Sequence, residues 1–154
     1  MAEISIRSFL ASLVTVRETE TRHKVLLLKR TQTLTGEWCQ VAGIIEEGET
    51  AWHTALRKLD EETALQPSAL YSANTCEQFY EADRDAITIA PVFVAFIDNS
   101  ATVTLNHEHS EYRWVSFAEA IEMVAFGGQR RVLGWIEDEF VKRTQSKHLL
   151  IESV

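Results

Sequence analysis

The succession between Val25 and Leu65 constrains this chain more than any other feature. The unbroken apolar run Val25-Leu26-Leu27-Leu28, closed by Lys29 and Arg30, reads as a buried strand with a basic exit. Between Thr31 and Gly48 the composition shifts to Thr, Gly and Glu. Three of the chain's six glycines fall there (Gly36, Gly43 and Gly48), as expected where backbone turns tightly or approaches a ligand. From Glu49 to Leu65 the period becomes helical. Trp52, Leu56 and Leu59, with Ala55, line one face, while His53, Arg57, Asp60 and Glu61 point elsewhere. Pro67 ends that helix. A strand, a Gly-containing loop and an amphipathic helix in this order place any functional loop between two packed elements.

The flanking segments extend the pattern. Ile4 to Val16 reads as a strand or a pair of strands, followed by a charged turn over Arg17 to Arg22. Further strands are expected at about Ala69 to Gln78, at Ala86 to Ile97, where Pro91 suggests an edge or a bulge, and at Tyr112 to Val115. Helices are expected over Phe117 to Val124 and about Gln129 to Arg143, with Gly127-Gly128 as a hinge before the second. Strands, helix, strands, helices in that order indicate the α/β class, with a mixed β-sheet sandwiched between α-helices. At 154 residues and 45% apolar composition the chain reads as a single domain over residues 1–154.

Met1-Ala2-Glu3 shows no basic leader, and the apolar run from Phe9 to Val16 is too short to span a bilayer. A soluble, cytoplasmic protein without membrane partners is therefore expected. Cys39 and Cys76 lack metal-ligand spacing and read as reduced thiols in or near the core. A formal charge of −8 argues against neutralising the phosphates of duplex nucleic acid. An acidic protein can still bind a small phosphate by placing a divalent cation between its own carboxylates and the ligand.

The helix carries the carboxylates for this. Residues three and four apart are neighbours, so Lys58 lies beside both Glu61 and Glu62, and Arg57 beside Glu61, while Glu62 falls nearer the apolar stripe. Taken alone, Arg-Lys-x-Asp-Glu-Glu reads best as a helix laced with surface salt bridges. The longer pattern overturns that reading. Gly43, five residues, Glu49, seven residues, then Arg57-Lys58-Leu59-Asp60-Glu61-Glu62-Thr63-Ala64-Leu65 resembles the Nudix box over 23 residues. Both aliphatic positions, the Arg and the Glu-Glu pair stand at the spacing of that family.

The resemblance implies a Nudix fold and metal-dependent hydrolysis of a diphosphate linkage in a nucleoside triphosphate or a related nucleoside-diphosphate-linked compound. It implies Mg²⁺ or Mn²⁺ held by Glu61, Glu62 and the carbonyl of Gly43, since hard cations take oxygen ligands. Arg57 would pair with Glu49 and orient the carboxylates. Outside the box, Trp38-Cys39-Gln40-Val41-Ala42-Gly43 and His107-Glu108-His109 followed by Tyr112-Arg113-Trp114 look like the branch that includes dihydroneopterin triphosphate pyrophosphatases. In that branch a Glu ahead of the Tyr-basic-Trp element completes the metal site or acts as base, which points to Glu108. Arg30, Trp38 and Lys58 are the candidate substrate contacts. Trp38, Phe79, Tyr80 and Tyr112 could stack on a ring but as aromatics at strand and loop positions read better as core, and His107 and His109 read as solvated loop histidines.

Two box positions depart from the family. Ala64 replaces the closing Gly, which implies a different helix exit. Lys58 replaces a Glu that binds metal or serves as base in many members, so its ammonium should weaken metal binding, reduce the number of ions held, touch a phosphate or pair with Glu62. The alternative function is therefore a Nudix-fold module that binds a phosphorylated ligand with weak or no catalysis. A small phosphorylated partner, a nucleotide by resemblance, and a monomer or homodimer are expected.

Overall fold

Successive residues of a strand face opposite sides of a sheet, and here that alternation divides the core in two. In a computed structural model that describes residues 1–152, Val14, Leu27 and Val94 bury on one face while their neighbours Leu13, Leu26, Leu28 and Phe93 bury on the other. The apolar run at Val25 to Leu28 is continuous because it is covered on both sides. The strands are β1 (Ser5–Arg7), β2 (Leu10–Glu18), β3 (His23–Arg30), β4 (Trp38–Cys39), β5 (Val41–Ile44), β6 (Ala69–Glu81), β7 (Ala86–Ile97) and β8 (His109–Val115). The helices are α1 (Ala51–Thr63), α2 (Phe117–Met123) and α3 (Gly127–Ile136). β2 sits centrally, antiparallel to β3 and β5 and parallel to β7, while β6 and β8 add to β7 and β3 in antiparallel pairs. Ala55 and Leu59 of α1 pack on one face, and Phe117, Ala120, Val132, Leu133 and Ile136 of α2 and α3 on the other. This is the expected mixed sheet between helices. The last two residues of the expected domain lie outside the described residues.

Three local expectations change. Pro91 does not mark an edge, because β7 is interior, with β6 on one side and β1 then β2 on the other. It falls in the gap where β1 gives way to β2, and the bulge lies on β6, between Ser72 and Cys76, where Asn74 has φ 56°. Gly127 and Gly128 open α3 instead of forming a hinge before it. The last helix also does not run unbroken to Arg143. After Ile136 it widens into a π turn over Glu137–Val141, closed by the Lys142 N–H on the Glu137 carbonyl at 2.9 Å.

α1 begins at Thr50, whose hydroxyl accepts the His53 N–H at 3.2 Å. It ends at Ala64 in the left-handed conformation, φ 59°, with its N–H on the Asp60 carbonyl at 2.8 Å. The exit is thus the left-handed one that a Gly would favour, not a different one, and Ala adopts it under strain. Ala64→Gly is expected to stabilise the protein by about 0.5–1 kcal/mol, less than the full left-handed penalty because Gly loses more freedom on folding. Urea denaturation at neutral pH checks this, and an unchanged or lower midpoint would count against strain at the exit.

Candidate active site

Gly48, at φ +85°, turns the chain after β5 so that Glu49 arrives beside the first turns of α1. One oxygen of Glu49 accepts from the Glu46 N–H, the Thr54 hydroxyl and Arg57 Nη2, each at 2.9 Å, and the other accepts from Arg57 Nε at 2.8 Å. The Arg57 guanidinium on this carboxylate, with the Glu46 N–H, holds the Glu49 carboxyl down to about 2. Arg57 also donates to the Ile44 carbonyl at 3.0 Å and to Glu61 at 3.3 Å. One planar fork therefore ties the end of β5, the loop acid and the helix carboxylate together, as the sequence led us to expect for Arg57 and Glu49.

One residue further along, about 100° round the helix, Lys58 points inward. Its Nζ lies 3.1 Å from Glu108, 3.3 Å from Glu62 and 3.4 Å from Glu61. Burial alone would lower the Lys58 pKa, but Glu108 and Glu62 outweigh it and raise it. An ammonium has three N–H donors, and three carboxylates surround this one, which leaves none for a phosphate. Lys58 is accordingly placed as a partner of the acids, not as a substrate contact. Glu108 enters from the loop before β8 and is positioned by Asn106, whose side chain accepts the Glu108 N–H at 3.0 Å and donates to its carboxylate at 3.3 Å. Burial would raise the Glu108 pKa, yet the Lys58 hydrogen bond and charge hold it below the usual carboxylate range.

Glu62 is the unusual group. Its side chain is 3% exposed, against 44% for that of Glu61, and its Oε2 has no hydrogen-bond partner. Burial, with the Glu108 carboxylate beside it and only partly offset by Lys58, pushes its pKa up to about 8. Glu62 and Glu108 line one side of a cleft of about 80 Å³, whose other lining residues include Arg30, Thr33, Cys39, Gln40 and His109. Arg30 is aimed by Thr33, through Nε on its carbonyl at 2.6 Å and Nη2 on its hydroxyl at 2.7 Å, leaving Nη1 toward the Cys39 sulfur at 3.9 Å. The cleft is thus lined by two carboxyl groups and a guanidinium. At this volume it takes a phosphate group, not a whole nucleotide, whose pockets run to about 300 Å³ or more.

The oxygen-rich donor set and the orphaned Glu62 oxygen suit a hard divalent ion in kind. Among the described residues, however, no group of three His, Cys, Asp or Glu side chains stands in an arrangement that would hold one. Lys58 fills the centre of the only acids that converge here. Gly43 does lie at this centre, its Cα facing the Lys58 stem: a Cβ there would sit 2.4 Å from Lys58 Cγ.

Trp38 does not reach the cleft. Its side chain packs against the core beneath α2 and α3, with the Arg113 guanidinium 5.0 Å from its ring. The neighbouring Cys39 faces the cleft instead, since adjacent strand residues point oppositely. His109 is buried rather than solvated, with Nε2 3.8 Å from the Cys39 sulfur, and burial lowers its pKa while raising Cys39 to about 11. Phe79, Tyr80 and Tyr112 are exposed, contrary to the core reading, and Cys76 is exposed as well. Thr33, in the cleft, and Asn106, beside Glu108, are residues that the sequence did not single out, and Cys39 and Gln40 line the cleft without having been given a role there.

The NUDIX domain family matches residues 8–136, most of the chain, and the chain belongs to that family. A bis(5'-nucleosyl)-tetraphosphatase (asymmetrical) of Caenorhabditis elegans is 27% identical over 118 residues, covering 75% of this chain and 84% of that protein. The crystal structure of a C. elegans Ap4A hydrolase in binary complex superposes with a TM-score of 0.74 at 22% identity, covering 86% of this chain and 96% of that one. That of a NUDIX hydrolase from Listeria monocytogenes superposes with a TM-score of 0.72 at 26% identity, covering 84% of this chain and 92% of that one. The mixed sheet with its helices is the Nudix fold.

Proposed function

We propose that this chain is a divalent-metal-dependent hydrolase that cleaves a phosphoanhydride bond of a nucleotide. The observation that carries the proposal is the convergence of Glu61, Glu62 and Glu108 on one point, with Glu62 and Glu108 lining a phosphate-sized cleft that Arg30 also lines. Glu61, Glu62 and the Gly43 carbonyl are the groups to hold Mg²⁺ or Mn²⁺. When bound, such an ion polarises the phosphoryl group, activates water and screens the ligand's charge. Arg57 fixes Glu61 and the loop before α1, and Arg30 takes phosphate oxygens across the cleft in place of its long contact to Cys39. Glu62 holds a proton at neutral pH and has to release it to serve as a ligand, so ion affinity should rise with pH through about 8.

For the substrate, the tetraphosphatase relatives favour a compound with a bridge of several phosphates between nucleosides. The likeness to the dihydroneopterin triphosphate branch rests on residues 38–50 and 107–114 with the terminal helix, and these relatives lend it no support. The crowding of the acids by Lys58 favours a second reading, a ligand-binding module with little turnover. Product analysis by chromatography separates the two. Incubation with diadenosine tetraphosphate, nucleoside triphosphates, dihydroneopterin triphosphate and nucleotide sugars should yield products from at least one, with unequal products from the tetraphosphate. A ligand-induced rise in Tm with no products from any would support the binding module and contradict the hydrolase.

A further inference from the structure

We propose that the Lys58 ammonium stands in this site in place of one divalent ion, as a tethered cation that leaves room for a single metal ion among Glu61, Glu62 and Glu108. The proposal rests on the metal-site reading above and adds the number of ions and the identity of the missing one. A lysine paired along an exposed helix is held loosely and contributes a few tenths of a kcal/mol. Lys58 is placed differently. Its side chain is 12% exposed, and its stem lies over Gly43 so closely that a Cβ on that residue would meet Cγ at 2.4 Å and Cδ at 2.6 Å. The backbone at Gly43 is therefore shaped to admit the stem and deliver Nζ to the acids.

At the end of that stem the three partners come from two distant parts of the chain, Glu61 and Glu62 on α1 and Glu108 on the loop before β8, at 3.1–3.4 Å from Nζ. This is what an enclosed ammonium requires, because a charge taken out of water is tolerated only when opposite charge and hydrogen bonds replace the solvent. A Mg²⁺ ion needs its oxygens at about 2.1 Å, so no ion can share that centre while Nζ is there. With an ion bound, Glu61, Glu62 and Glu108 are all ionised; Lys58 cancels one of their three charges, and the two that remain match one divalent ion. Glu62 Oε2, buried and without a partner, is the oxygen left for it.

The test counts ions on the full chain rather than turnover. Mn²⁺ is titrated into wild type, Lys58→Met and Lys58→Gln, and free Mn²⁺ is read by electron paramagnetic resonance, with Tm measured in EDTA and in Mn²⁺. Wild type should bind one ion per chain. Both variants should bind two, with the tighter site at least tenfold stronger than in wild type, and both should gain more Tm from Mn²⁺ than wild type does. A variant that folds only when Mn²⁺ is present counts in favour, because the ion then replaces the missing ammonium. Equal counts and affinities in all three proteins, two ions on wild type, or no Mn²⁺ on any of them would overturn the proposal. Hydrolysis by wild type, assayed on the same samples, keeps the outcomes apart: turnover with equal counts removes the tethered cation and leaves the hydrolase standing.

Discussion

Glu62→Gln is expected to lower turnover by ~10³-fold and, in the same protein, to raise the stability of the metal-free fold at alkaline pH. The two effects share one cause. Glu62 is a carboxyl placed in a nearly dry position with one oxygen unpartnered, which suits an incoming cation and penalises the empty anion. Its folded pKa of about 8 lies above the ordinary 4.5, so between those values the folded chain holds a proton that the unfolded chain has released. The favourable contribution of the protonated group is complete below pH 4.5 and is lost as pH rises to about 8. Gln keeps the neutral form at every pH. The difference between variant and wild type should therefore open across that window and reach on the order of 3 kcal/mol above it. Urea denaturation in EDTA at pH 5 and pH 9 reads this directly. Parallel losses of stability in the two proteins would show that Glu62 ionises without penalty. Glu49 acts in the opposite sense at the acid end: its pKa is depressed to about 2, so its contribution is present above pH 4.5 and lost as pH falls toward 2.

Arg57→Lys should give the second largest effect, although it keeps the charge. The guanidinium grips both oxygens of Glu49 at 2.8 and 2.9 Å while reaching the Ile44 carbonyl and Glu61. An ammonium cannot make that planar set. Metal affinity or kcat/KM should fall ~10–100-fold, and stability by about 2 kcal/mol as the partners of a part-buried charged group are left unmet. A kcat/KM measured against Mg²⁺ concentration should show a higher ion requirement. A wild-type Mg²⁺ dependence would mean that Arg57 only braces the loop.

Much of this was legible in the sequence because it depends on local spacing. The helical period placed Glu62 toward the apolar stripe and Glu61 away from it, and their exposures differ accordingly. The i+3 and i+4 positions of Glu61 and Glu62 made their pairing with Lys58 readable as well. What spacing could not reveal was the third partner, Glu108, fifty residues away, because that contact depends on how the loop before β8 packs over α1. The same holds for Cys39 and His109, seventy residues apart and joined only by the pairing of β3 with both β4 and β8. Trp38, a candidate substrate contact whose ring also reads as core, takes the core side: it and Cys39 are adjacent, and strand parity lets only one of them face the cleft. Phe79 and Tyr80 lie toward the end of the β6 and β7 hairpin, where the short β1 runs alongside, so aromatic character there did not imply burial.

Hydrolysis itself is the most direct test of the central claim. Release of phosphate-containing products from diadenosine tetraphosphate and nucleoside triphosphates is measured with Mg²⁺, with EDTA, and with Glu62→Gln as the blank. Turnover by wild type in Mg²⁺, abolished by EDTA and by the substitution, is the expected result. Turnover that survives both, or none in Mg²⁺ while the nucleotide still binds, would contradict it.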